Sequence, residues 1–224
     1  MNYHIDTGLI IEAYSNEAEC PLCYISDIVT SRILEQFATE AVMSDSARAK
    51  VNQKGICGRH FEQLFARPNK LGVALQAETR LKSLRKLLSV PKNPKQADAL
   101  GKTIEQNMAT CLLCELVDFN MDRYYKTFAQ MFRKEPNFEQ KIRQSKGICF
   151  FHYGKLLRHS GNAGPAASAY LQTLASTQDA TLEKLQHELD GFVQMFDYRS
   201  AGVSQPASKD AHIRAINKIK GRTK

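Results

Sequence analysis

Six cysteines and two histidines of this chain fall into one pattern written twice: Cys20-Pro-Leu-Cys23 with Cys57-Gly-Arg-His60, then Cys111-Leu-Leu-Cys114 with Cys149-Phe-Phe-His152. No cysteine is left over. Residues 24–56 separate pair from partner in the first copy and residues 115–148 in the second, which are nearly equal spans. Such a chain is constrained before any helix is considered, because its fold must bring thiols and imidazoles from distant positions to common points.

The repetition extends beyond these eight residues. Lys54-Gly-Ile-Cys57 recurs as Lys146-Gly-Ile-Cys149, Phe37-Ala38 and Phe128-Ala129 stand at the same offset from the second cysteine of their pair, and Leu64 and Leu156 each follow the histidine by four. Two units of one design are the simplest account. Apolar residues step by three and four rather than alternating, as in Ile25, Ile28, Val29, Ile33, Phe37 and Ala41, so the expected fold class is all-α. Each repeated helical unit is expected to carry a zinc site joining helix N-termini and to close with a long packed helix. Ala74, Ala77, Leu81, Leu84 and Leu88 form the first packing seam, and Leu182, Leu185, Leu189, Phe192 and Phe196 the second. Gly55 and Gly147 are expected to end helices by taking the left-handed conformation.

Pro91, Pro94 and the polar run between them break the pattern, which puts a first metal-binding helical repeat at 1–91 and a second at 96–199. Residues 200–224 read as a linker and a basic C-terminal helical tail. Its Ile213, Ile216 and Ile219 share one side and are expected to dock the helix on the domain. The alternative for this tail, with Arg214, Lys218 and Lys220, is a basic arm on nucleic acid or an anionic surface.

The chain has 224 residues, 43% of them hydrophobic, and a net charge of +8, which is an ordinary globular balance. No stretch approaches the roughly 18 consecutive apolar residues of a spanning helix, and Leu9-Ile10-Ile11 is too short for a signal peptide. The expected location is the cytoplasm, with no membrane partner. A reducing cytosol keeps thiols free, so CxxC spacings point to metal or redox chemistry rather than to structural disulfides. The basic excess lies in residues 61–160 and 201–224, which leaves nucleic acid open as a partner. Oligomeric state and any protein partner are not encoded legibly.

Three thiolates and a neutral imidazole make a closed tetrahedral shell, suited to a structural Zn2+ ion with no position left for water. The expected ligands are Cys20, Cys23, Cys57 and His60 for one ion and Cys111, Cys114, Cys149 and His152 for a second. Ligands three apart on the first turn of a helix share a face. There the helix dipole favours the thiolate, and Pro21 suits a first-turn position. A crossed arrangement stays open: the two CxxC pairs forming an all-sulfur site and the two CxxH pairs a site of two sulfurs and two nitrogens. An iron–sulfur cluster is the chemical competitor.

His4, His159, His187 and His212 read as surface or packing histidines. Phe119, Tyr124, Tyr125, Phe128 and Phe132 read as core before they read as a base-stacking surface, while Glu115 and Asp118 are candidates to orient a ligand in the second site. There is no glycine-rich phosphate loop, no G-x-S-x-G turn and no H-E-x-x-H pair. A non-enzymatic adaptor or interaction scaffold is therefore expected, with a nucleic-acid-binding regulator and a zinc- or redox-sensing protein as alternatives.

At Glu19-Cys-Pro-Leu-Cys23 and Lys54-Gly-Ile-Cys57-Gly-Arg-His60-Phe61 the chain resembles an uncharacterised bacterial family, a domain of unknown function. The resemblance extends over nearly the whole chain, including Phe196-Asp-Tyr-Arg199 and Ala211-His-Ile-Arg. It implies a cytosolic bacterial protein with paired Cys and Cys/His motifs, and it implies no activity. Cys111-Leu-Leu-Cys114 departs from it by lacking the proline.

Overall fold

A computed structural model describes residues 5–16, 18–196 and 209–221. The described residues form helices joined by loops, with no strand among them. In chain order the helices are α1 (Ile5–Ser15), α2 (Pro21–Ala38), α3 (Glu40–Met43), α4 (Asp45–Lys54), α5 (Gly58–Phe65), α6 (Lys70–Arg85), α7 (Pro94–Ala109), α8 (Leu112–Lys134), α9 (Phe138–Gln144), α10 (Phe150–Arg158), α11 (Ala167–Gln194) and α12 (Ala211–Lys220). A 3-10 segment, Ser160–Ala166, precedes α11. None is long and apolar enough to cross a membrane. Residues 200–208 of the expected linker lie outside the described residues, as do His4 and 197–199.

Local sequence explains the boundaries. Ser44, Asn69 and Asn93 accept hydrogen bonds from the backbone N–H groups of Ala47, Gly72 and Gln96, which caps α4, α6 and α7. Pro94 then occupies the first turn of α7, where its missing N–H costs nothing. Gly55 follows α4 with φ 72°, and its N–H bonds the Val51 carbonyl. Gly147 has φ 74°, but α9 has already ended at Gln144, where Ser145 caps it through the Ile142 carbonyl. The second glycine therefore turns the loop before Cys149 rather than ending a helix.

The chain divides into two compact units, one of residues 1–27 with 121–224 and the other of residues 28–120. The repeats expected from sequence, 1–91 and 96–199, are a different division. The Pro91–Pro94 break is a turn between α6 and α7 inside the second unit, and the unit boundaries fall within α2 and α8.

In the second unit, the face of α2 read from the sequence is buried at Val29, Ile33 and Phe37. The seam expected on α6 is not the buried one. Ala74, Ala77, Leu81 and Leu88 are exposed, and Gly72, Val73, Gln76 and Arg80 turn inward. The reason is polar. Gln76 donates to the Phe37 carbonyl, and Arg80 donates to the carbonyls of Asn52 and Asn107. These three carbonyls lie in the last turns of α2, α4 and α7, where a helix leaves them without partners of its own.

In the first unit, the α11 seam holds in part. Leu185 is buried, with Leu189 and Phe192 packed against the cluster it forms with Ala211 and Ala215 of α12. The isoleucines expected to dock α12 do the opposite, since Ile213, Ile216 and Ile219 are 54%, 57% and 70% exposed. The small Ala211 and Ala215 let the backbone come close, and Lys218 continues their face at the same helical spacing. The aromatic residues of α8 are core, with Tyr124, Tyr125, Phe128 and Phe132 buried, but Phe119 is 71% exposed.

Candidate metal centres

Each cysteine motif opens a helix. The Cys20 carbonyl accepts from the N–H groups of Cys23 and Tyr24, with Pro21 as the first residue of α2, and the Cys111 carbonyl accepts from Glu115 at the start of α8. Cys57 and Cys149 are the N-cap residues of α5 and α10, each extended, at φ −71°, ψ 160° and φ −68°, ψ 153°. In all four motifs one ligand stands at the cap and the other three residues on, so both side chains reach the same helix end. That end carries the positive pole of the peptide dipoles, which favours thiolate.

The pairing of motifs differs from both arrangements expected from sequence. Cys20 and Cys23 meet Cys149 and His152, while Cys57 and His60 meet Cys111 and Cys114, with the ligand atoms of each group all within 4.8 Å of one another. Each cluster thus takes its CxxC from one copy of the motif and its CxxH from the other. The composition, three cysteines and one histidine, is as expected. Each cluster also lies wholly within one compact unit, the first in 1–27 with 121–224 and the second in 28–120.

The distances fit one tetrahedral ion per cluster. Bonds of about 2.3 Å to sulfur and 2.0–2.1 Å to nitrogen give edges of about 3.8 Å between sulfurs and about 3.6 Å between sulfur and nitrogen. In the first cluster His152 Nδ1 lies 3.6, 3.4 and 3.3 Å from the sulfurs of Cys20, Cys23 and Cys149, and Cys23 Sγ lies 3.6 Å from Cys149 Sγ. In the second, His60 Nδ1 lies 3.4, 3.4 and 3.5 Å from Cys57, Cys111 and Cys114, and Cys57 Sγ lies 3.9 Å from Cys114 Sγ. All six cysteines are free thiols.

The electrostatics of each cluster call for a cation. Burial raises the Cys20 thiol, but hydrogen bonds from Cys149, Cys23 and His152 outweigh it and hold the group well below the usual range. Its neighbours then resist ionising. Hydrogen bonding to Cys149, and then to Cys20, raises Cys23, and hydrogen bonding to Cys20 pushes Cys149 up to about 12. In the second cluster Cys57 is lowered, with burial opposed by hydrogen bonds from His60, Cys111 and Cys114. Burial and the Cys111 charge push Cys114 up to about 12. In each cluster one thiol is lowered while a neighbouring one is raised, an opposition that a divalent cation at the centre would relieve.

Supporting groups that are scarcely legible in sequence fix the motifs. The Leu112 N–H donates to the Gly55 carbonyl over 3.0 Å, joining the start of α8 to the loop before Cys57. Glu115, a candidate second-site carboxylate, pairs with Lys54 of that loop, whereas Asp118 is exposed. In the first unit the Gln178 amide receives the Ile148 N–H and donates to the Ile148 carbonyl, clamping the residue before Cys149. Lys218 is 1% exposed and donates to the carbonyls of Glu19 and Lys146, on either side of the first cluster. Burial pushes its pKa down, against the pull of Glu19 and the thiols. Lysine on a basic tail reads as solvated, and nothing in sequence marks two carbonyls as its destination. Arg59 stands beside the second cluster, 3.4 Å from His60 Nε2.

Of the histidines set aside, His159 has a carboxylate after all, with Nε2 2.7 Å from Asp122 and Nδ1 2.8 Å from the Lys155 carbonyl. His212 stacks on Phe192 at 4.4 Å, and His187 is exposed. Neither cluster includes any of them.

Helices paired at their N-termini around two Cys/His clusters define an all-helical protein with two candidate metal centres. The chain belongs to the family of unknown function DUF6062, which matches it over residues 1–224. Comparison with curated proteins found no match, and comparison with solved structures found none.

Proposed function

We propose that this is a non-enzymatic zinc protein, in which two structural Zn2+ ions fasten helix starts into a rigid scaffold that other macromolecules use as an adaptor. The observation that carries this proposal is the set of ligand separations, which match the edges of a single-ion tetrahedron in both clusters. Three thiolates and an imidazole fill the four positions zinc takes and leave none for substrate or water. A multi-iron cluster would spread its ligands over several metals and hold them farther apart. Binding free energy at such sites is also folding free energy. Leu71 and Leu81, exposed on α6, and Leu88 just beyond it support contact with a partner.

Metal analysis of the purified protein tests the first part: two zinc ions per chain are expected, with helical circular dichroism lost on chelation and regained on adding zinc. Iron in place of zinc, or a fold indifferent to chelation, overturns it.

One observation favours regulation at the second cluster. Its Cys57 and Cys114 are partly exposed, while every ligand of the first cluster is buried. Oxidant or chelator would reach the second ion first, so its loss could switch the scaffold.

A further inference from the structure

Beside the first cluster, and entirely within the first unit, lies a cleft of about 510 Å³ between α1, the 18–21 segment, the end of α9, α11 and α12. That volume is in the range of small-molecule sites. Two hydroxyls on its lining are buried and have no protein partner, those of Tyr14 and Thr177. Thr177 is only 9% exposed. Burial, with the Cys20 and Tyr170 charges adding to it, holds the Tyr14 phenol well above its usual range, so this hydroxyl is a donor at any physiological pH. Buried hydroxyls without partners are costly, and an acceptor in the cleft would satisfy both.

The charge around the cleft is one-sided. Five basic side chains and two carboxylates line it, a formal +3 by subtraction. Arg214 is paired with Glu188, Arg143 with Glu139, and Lys218 is committed to the Glu19 and Lys146 carbonyls. Two cations remain at the mouth. Lys184 is exposed and makes no ion pair among the described residues, and Lys146 reaches Glu19 only at 3.9 Å with half of its side chain in solvent. Ala13 and Leu185 add apolar lining.

We propose that this cleft binds a small organic anion, its charged end held by Lys184 and Lys146, its apolar body against Ala13 and Leu185, and an acceptor on it meeting the Tyr14 and Thr177 hydroxyls. Charge-assisted bonds at the mouth supply affinity, and the buried hydroxyls supply orientation. Because Glu19 adjoins Cys20 and Lys146 lies three residues before Cys149, the ligand would sit against the segments that carry the first cluster.

The test uses the full-length, zinc-loaded protein and 1-naphthyl phosphate as probe, followed by methyl NMR. Perturbation of the Thr177 and Ala13 methyls is expected, with roughly tenfold weaker binding in Lys184→Glu and a comparable loss for the neutral 1-naphthol. Thr177→Val should weaken the phosphate while leaving both zinc ions in place. Lys184 is a surface residue, so its variant stays informative even if Thr177→Val folds poorly. Several outcomes overturn the proposal: no shift at Thr177 or Ala13 with millimolar probe, naphthol binding as tightly as the phosphate, Lys184→Glu binding unchanged, or shifts confined to Ile213, Ile216 and Ile219.

Discussion

Cys23 Sγ lies 3.6 Å from Cys149 Sγ across 126 positions of sequence. Cys57 and Cys114 meet across 57 in the same way. The two copies of the motif therefore exchange partners, and neither half of the chain contains a complete ligand set. Closing such a site costs loop entropy that grows only slowly with length, so a long separation is no obstacle once the helices around it pack.

This exchange makes an unusual stoichiometric prediction. Replacing Cys20 and Cys23 by serine should remove one zinc, and replacing Cys149 and His152 by alanine should remove one zinc. The four changes together should still remove only one. Pairing within each copy, or an all-sulfur site, would cost both ions in the fourfold variant. Zinc per chain by mass spectrometry decides, and a fragment of residues 1–95, which holds two ligands of each cluster, should close neither shell.

The second cluster should be the labile one. With Cys57 and Cys114 partly exposed, zinc release to a chelator or under mild peroxide should be biphasic, the faster phase by roughly tenfold. Cys57→Ser should abolish that phase and leave the slow one. Equal rates would show that burial does not govern access.

Acid should also act on the second cluster. Burial, with Arg59 adding to it, lowers the His60 pKa to about 4, against about 6.5 for an unperturbed ring. Between these values the unfolded chain binds more protons than the native one, so stability rises with pH across about 4 to 6.5 and is lost as pH falls through that window. Zinc adds to the same slope because it binds only the neutral ring. Denaturant midpoints measured between pH 4.5 and 7 should fall steadily toward acid, and a flat profile would contradict the shift.

Gly55→Ala and Gly147→Ala should each cost about 1–3 kcal/mol. Both backbones have positive φ, and a Cβ would lie 3.0 Å from the Arg80 guanidinium at the first and 3.1 Å from Thr181 at the second. Chemical denaturation of the zinc-loaded protein measures the loss.

Lys218→Met keeps the length of the side chain and removes its donors, leaving the part-buried Glu19 and Lys146 carbonyls without that partner at about 1–3 kcal/mol. The first zinc should leave faster and the second should not. Unchanged release at both sites would mean that α12 holds through Ala211 and Ala215 alone.

The eight candidate ligands, their three-to-one composition and their places at helix starts were legible in sequence, because ligand spacing of three and helical period are both local properties. The fold class was legible for the same reason, and so was the core face of α2. Which motif meets which was not, since identical motifs are chemically interchangeable and only packing distinguishes them. Nor could composition say which side of α6 or α12 turns inward. Size favoured the leucines and isoleucines, yet Arg80, Gln76 and Lys218 are buried instead, because carbonyls at helix ends and beside the first cluster need donors and a long side chain can deliver them. Sequence by itself determined that paired Cys and His motifs open four helices. Tertiary structure decided that they are shared reciprocally between the copies, because the buried surface and the backbone bonds that choose a partner exist only once the helices pack.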